Sequence, residues 1–190
     1  MRTIAIAFLA APFCLLAADQ PVMENPQVAS SKGIFEYMKG TVLKSAEKMP
    51  EEKYSYKPID GVRTYGEVLA HIADAQYEFC GAVKEGKPVM KGIEQSAKTK
   101  ADITSALNDA FAYCEGVYGG LTDASSAALV PFMGMKMTKL ALLSLNTAHL
   151  DEHYGNLVTY MRMNAIVFAL TTTMVMAGVW LVTMIAHPHS

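Results

Sequence analysis

His149-Leu-Asp-Glu-His-Tyr-Gly-Asn156 sits inside the run Leu140 to Arg162, which reads as one long helix capped by Thr138. Its two histidines are one helical turn apart. Positions i and i+4 share a helix face, with Cβ atoms about 5–6 Å apart. Two imidazoles so placed can hold one metal ion while the helix keeps them still. The same face takes in Leu142, Asn146, Asn156 and Tyr160. That mixture of apolar and hydrogen-bonding groups differs from the uniform Leu and Val of a plain core stripe.

Working outward, three more helices come into view. The first covers about Gln27 to Lys48, with Ile34, Tyr37, Met38, Val42 and Ala46 at helical spacing, and Pro50 ends it. The segment Glu51 to Arg63 is a loop with Pro58 and Asp60-Gly61 as turn residues. Thr64 and Glu67 have capping-box spacing and open a second helix running to about Lys84. That helix carries Val68, Leu69, Ile72, Ala75, Phe79 and Val83, and Gly86 with Pro88 terminates it. The third starts at Thr99 or Lys100, carries Ile103, Leu107, Ala110, Phe111, Cys114 and Val117, and stops at Gly119-Gly120. A loop from Leu121 to Met137 precedes the fourth. No segment alternates strongly enough to predict a strand. The expectation is therefore an all-α domain, a four-helix bundle over residues 27–163.

The ends of the 190-residue chain read differently. Residues 1–18 hold one positive charge at Arg2, an apolar run from Ile4 to Leu16, and small residues Ala17 and Ala18, the pattern of a signal peptide. Residues 19–26 form a short linker. Residues 165–186 contain no Asp, Glu, Lys or Arg. As a helix they would reach roughly 33 Å, enough for a hydrocarbon core of about 30 Å. We read them as a transmembrane helix in preference to a buried terminal helix. Arg162 just before it runs against the positive-inside tendency for an exported domain, which leaves the orientation open. No proline or glycine lies between Asn156 and Met176, so the fourth helix is expected to run on into the span. The expected location is the outer side of the membrane, periplasmic or extracellular, with the domain anchored there.

The formal net charge is −2 and no Lys/Arg cluster stands out, which argues against nucleic acid as a partner. Cys14 would leave with the signal peptide. Cys80 and Cys114 then remain, either as a disulfide suited to an exported protein or as two small buried side chains.

A third ligand for the histidine pair must come from elsewhere. His71, on the second helix among Val68, Leu69 and Ile72, is the only other histidine ahead of the C-terminal tail. Facing helices of a bundle bring side chains within reach of a common ion. His71, His149 and His153 would leave an open coordination position on zinc, and the same donors suit nickel or iron. Asp74 and Glu78, on the side of His71, are candidate catalytic carboxylates. The text His149-Leu-Asp-Glu-His153 also matches an inverted zincin signature with Glu152 as base. That chemistry needs a downstream acidic ligand, and no Asp or Glu follows Glu152.

Two stretches, Val62-Arg-Thr-Tyr-Gly-Glu-Val-Leu-Ala-His-Ile-Ala-Asp-Ala-Gln-Tyr and His149-Leu-Asp-Glu-His-Tyr-Gly-Asn-Leu, resemble the DinB-like (DinB/YfiT-like) metalloenzyme family over about Gln27 to Met163. The resemblance implies an up-down-down-up bundle, often homodimeric, whose long crossover would be the Gly86 to Thr99 loop. It implies metal ligation by one histidine of the second helix and an H-x-x-x-H pair of the fourth, here His71, His149 and His153. It also implies thiol-dependent transfer or isomerisation, in which the metal favours a thiolate on a thiol cofactor. The functional expectation is a metal-dependent enzyme, a transferase or hydrolase acting on a small molecule. The alternative is a non-catalytic metal-binding or structural bundle.

Overall fold

The computed structural model describes residues 23–167. Four long helices make the body: α1 (Pro26–Lys48), α2 (Tyr65–Glu85), α4 (Lys100–Gly119) and α6 (Lys139–Met163). Between them lie two single-turn helices, α3 (Ile93–Ser96) and α5 (Asp123–Ser126), and two short strands, β1 (Leu129–Phe132) and β2 (Met135–Thr138).

The termini of the helices are set by local chemistry. Thr64 and Glu67 form the expected capping box at α2, and Thr99 with Asp102 forms another at α4. Thr138 accepts from the Ala141 N–H to open α6. At α1, Pro26 occupies the first turn, where its missing N–H costs nothing. The freed N–H groups of Gln27 and Val28 donate to Asp123, 95 or more positions away, which ties α1 to α5.

Each of α1 and α2 packs against both α4 and α6, so α1 and α2 sit diagonally across the bundle. Three contacts fix the directions. The Tyr65 hydroxyl at the start of α2 donates to the Ser45 carbonyl near the end of α1. The Lys100 ammonium at the start of α4 donates to the Glu47 and Met49 carbonyls at that same end. Tyr160 at the end of α6 reaches the Arg63 carbonyl just ahead of α2. The order is up-down-down-up. Phe35, Tyr65, Leu69, Phe111, Tyr118, Leu142, Leu150 and Leu157 are buried at its centre. Cys80 and Cys114 are joined as a disulfide that links α2 to α4.

Three expectations need correction. The domain is not purely helical, because β1 and β2 pair as an antiparallel hairpin with Pro131 opposite Lys136. Its two-residue turn, Met133-Gly134, has positive φ at both positions (49° and 78°), the geometry that suits strand twist in a tight hairpin. In β1 burial alternates, but Leu129-Val-Pro-Phe132 is apolar throughout, so the residue types do not show it. On α1, Ile34 and Tyr37 are exposed and Phe35 is buried in their place, so the core stripe is Phe35, Met38, Val42 and Ala46.

The third correction concerns α6, which stops at Met163 instead of running on. Ala165 turns left-handed, its N–H donates to the Arg162 carbonyl, and the Ile166 N–H donates to the Met161 carbonyl. Paired bonds of this kind terminate a helix without glycine. Among the described residues no helix is long and apolar enough to cross a membrane. The signal peptide expected at residues 1–18, and all but the first three residues of the span expected at 165–186, lie outside the described residues.

One close approach in the crossover gives a stability test. A Cβ on Gly81 would stand 2.6 Å from the Val89 Cγ2 atom and 2.9 Å from the Val89 backbone nitrogen, so no side-chain rotation clears it. Gly81→Ala should cost about 1–3 kcal/mol. Gly116, with nothing within 4 Å of its added Cβ, should gain about 0.5–1 kcal/mol as alanine. Chemical denaturation of the two variants checks the contrast.

Candidate metal centre

His71 lies two turns into α2, beyond the capping box, and His149 and His153 lie in the middle of α6. The packing of α2 on α6 turns all three inward to one point. Ring centroids are 4.3 Å apart for His149 and His153, 4.8 Å for His71 and His153, and 5.2 Å for His71 and His149. Their ligand atoms all fall within 4.8 Å of one another. The Nε2 atoms of His149 and His153 face each other at 3.0 Å. Two nitrogens bound at about 2.0–2.1 Å to one tetrahedral ion stand about 3.3 Å apart, so this spacing is near what shared ligation needs. The Nδ1 atoms of the same two rings are buried without a hydrogen-bond partner. Three converging imidazoles, two of them with unspent nitrogens, fit a divalent ion.

The electrostatics favour the neutral, ligating form. Burial pushes His149 down to about 4, with the neighbouring His153 adding to the effect. Burial also lowers His71, reinforced by the Arg63 charge and by His149, and lowers His153, reinforced by His71. At neutral pH all three rings are free of the proton that would compete with a metal.

The surroundings separate the other candidates. Asp74 accepts from the Ile93 and Glu94 N–H groups, each at 2.9 Å, so its carboxylate holds the start of α3. Glu78 is outside the group of metal-capable atoms, and burial together with the Asp74 charge raises its carboxyl. Glu152 is exposed. Two residues that sequence reasoning missed stand at the cluster. Glu94 places Oε2 3.5 Å from the Nδ1 atom of His71, and its Oε1 accepts from the Arg63 Nε at 2.7 Å. Both belong to connecting segments and meet across 31 positions, a pairing with no periodic signal. Beside the cluster opens a cavity of about 620 Å³ lined by Arg63, Glu94, His153, Asn156 and Tyr160 among others.

An up-down-down-up helical bundle with three histidines converging from its second and fourth long helices defines the class: a helical bundle with an interhelical histidine cluster that could hold a metal ion. The chain belongs to the DinB superfamily, whose family model matches residues 34–157. A curated relative, YjoA of Bacillus subtilis, is 32% identical over 126 residues, which cover 62% of this chain and 77% of YjoA. The crystal structure of YjoA, a DinB-like protein, superposes with a TM-score of 0.61 at 26% identity, over 75% of this chain and 94% of that one. A DinB-like protein from Bacillus cereus gives 0.65 at 18% identity, over 73% and 93%. A mutant of the mycothiol-dependent maleylpyruvate isomerase gives 0.60 at 10% identity, over 68% of this chain and 60% of the isomerase. At that identity the fold alone is shared.

Proposed function

We propose that the protein is an exported, membrane-tethered DinB-superfamily metalloprotein in which His71, His149 and His153 hold one divalent ion, zinc by preference. The convergence of the three rings carries the reading. On such an ion the metal would lower the pKa of a thiol or water brought to its open position. The residues around that position then bind and orient a small molecule in the adjoining cavity, which is lined by the paired Arg63 and Glu94 together with Asn156 and Tyr160. Metal-dependent transfer or hydrolysis is the activity that suits this arrangement. The thiol dependence in the isomerase's name makes thiol substrates the first to try.

Metal analysis of the purified protein tests the centre. About one divalent ion per chain is expected, with its loss in His149→Ala. A wild-type protein that takes up no divalent ion ends the proposal.

A second reading, a metal-binding module without turnover, draws on Asp74. Its carboxylate is committed to two backbone amides and so is not free to move protons at the cluster. Metal uptake without metal-dependent turnover on a broad panel of thiol-transfer and hydrolysis substrates favours this reading.

Export is supported by the buried Cys80–Cys114 disulfide, since such bonds persist in oxidising compartments. Tethering rests on the uncharged residues 165–186. The full chain is expected in the membrane fraction, and release by a salt or carbonate wash without detergent would count against an anchor.

A further inference from the structure

We propose that Glu94, delivered by the α2–α4 crossover, is a positioning residue that fixes the tautomer and orientation of His71 and so raises the metal affinity of the three-histidine centre. The inference rests on the metal-centre reading above.

The geometry is a relay of two carboxylates, Asp74 and Glu94. Asp74, on α2 three residues after His71, accepts from the Ile93 and Glu94 N–H groups through its two oxygens. This pins the first turn of α3 against α2 and sets where the Glu94 side chain begins. The Glu94 carboxylate then bridges two groups. Oε1 accepts from Arg63 Nε at 2.7 Å, while Oε2 accepts from Arg63 Nη2 at 3.4 Å and also stands 3.5 Å from His71 Nδ1. With Nδ1 turned to the carboxylate, Nε2 is the nitrogen left for the cluster. An imidazole that donates its rear N–H to a carboxylate presents the opposite lone pair to a metal in a fixed direction. Ligands held in this way typically lose 10–100-fold in metal affinity when the carboxylate is removed.

A plain surface ion pair explains these contacts less well. The Glu94 and Arg63 side chains are 24% and 43% exposed. Pairs this exposed add little to stability. The contrast inside the cluster points the same way. His149 and His153 have buried Nδ1 atoms without partners, whereas His71 has an anion at its rear nitrogen. Only His71 comes from α2, so its ring alone must be registered against the pair on α6.

The test uses the full chain and two readouts. In metal-free protein, nitrogen-15 NMR of the histidine rings should show His71 as the Nδ1–H tautomer. Glu94→Ala should move His71 toward the Nε2–H tautomer. Asp74→Asn, at a residue that makes no hydrogen bond to a histidine and acts on His71 only through its charge and through α3, should produce a smaller shift of the same sign. Zinc affinity by chelator competition should fall about 10–100-fold in Glu94→Ala and less in Glu94→Gln, which keeps an acceptor. The metal-free melting temperature should stay within a few degrees of wild type.

A His71 tautomer that neither substitution moves, with zinc affinity within twofold, overturns the proposal. So does a cobalt-substituted Glu94→Ala spectrum with a changed coordination number, because Glu94 would then be a ligand itself. If the wild type takes up no zinc, the metal-centre reading falls, and the tautomer measurement still decides the role of Glu94.

Discussion

Removal of the Cys80–Cys114 disulfide is expected to lower the melting temperature by about 10–15 °C. The bond closes a loop of 34 residues, and the chain-entropy model assigns a loop of that length about 4 kcal/mol. For a domain of this size each kcal/mol moves the midpoint by a few degrees. The bond lies at the junction of three helices. Gln76 on α2 and Asn146 on α6 exchange side-chain hydrogen bonds at 3.1 and 2.8 Å, and the Asn146 Nδ2 atom is 3.8 Å from both sulfurs. Asn146 is one turn ahead of His149, so slack introduced here reaches the α6 histidines. Both sulfurs belong to fully buried residues, so a mild reductant should leave the native protein oxidised until it unfolds. Thermal melts of oxidised protein, of protein reduced in denaturant and refolded, and of Cys80→Ala/Cys114→Ala measure the effect. A difference under about 3 °C between oxidised and reduced forms would show that the cross-link matters little.

The parts of the fold that rest on periodicity and capping were legible before any coordinates. Every apolar position read on the second and third helices is buried, from Val68 to Val83 and from Ile103 to Val117. The capping box read at Thr64 and Glu67 is present, and Thr99, read as a helix start, caps its helix with Asp102. The first helix misled because two large apolar residues, Ile34 and Phe35, stand side by side in the chain. Ile34 and Phe35 differ by only 100° around the axis, and tertiary packing chose the larger ring. The hairpin was illegible because β1 and β2 take their pairing from a tight turn and not from alternation.

The candidate site divides along the same line. His149 and His153 are local: one helix and a spacing of four suffice to bring them together. His71 needed a topology in which the second long helix lies beside the fourth. Elimination among so few histidines, together with the family resemblance, pointed to it. Asp74 was noticed for the right neighbourhood and assigned a different task from the one it has, since its oxygens face the amides of α3. Glu94 and Arg63 stand on connecting segments. Their approach to His71 depends on how the crossover folds back over α2, which no spacing in the sequence encodes.

Metal removal and acid should act on the same three rings, and their combined effect on stability is the other large one expected. A ligand that binds only the folded chain, present at a thousand times its dissociation constant, stabilises it by about 4 kcal/mol. Zinc should therefore raise the melting temperature by roughly 10 °C or more, and a chelator should reverse the shift. His149→Ala should abolish the response while the metal-free melt stays close to wild type.

The pH dependence follows from the lowered basicity. An unfolded histidine takes its proton near 6.5, whereas folded His149 resists protonation until about 4. Between those values the unfolded chain binds more protons, so stability rises with pH there and is lost as acid is added. His71 and His153, also lowered by burial, act in the same direction. Metal-free protein should thus lose stability steadily from about pH 6.5 toward 4, and His149→Ala should flatten that slope. With zinc bound the fall should be steeper, since protons must then displace an ion as well. Denaturant titrations at a series of pH values, with and without zinc, provide the comparison. Equal slopes for wild type and His149→Ala in the metal-free protein would mean that the buried rings are not what resists the proton.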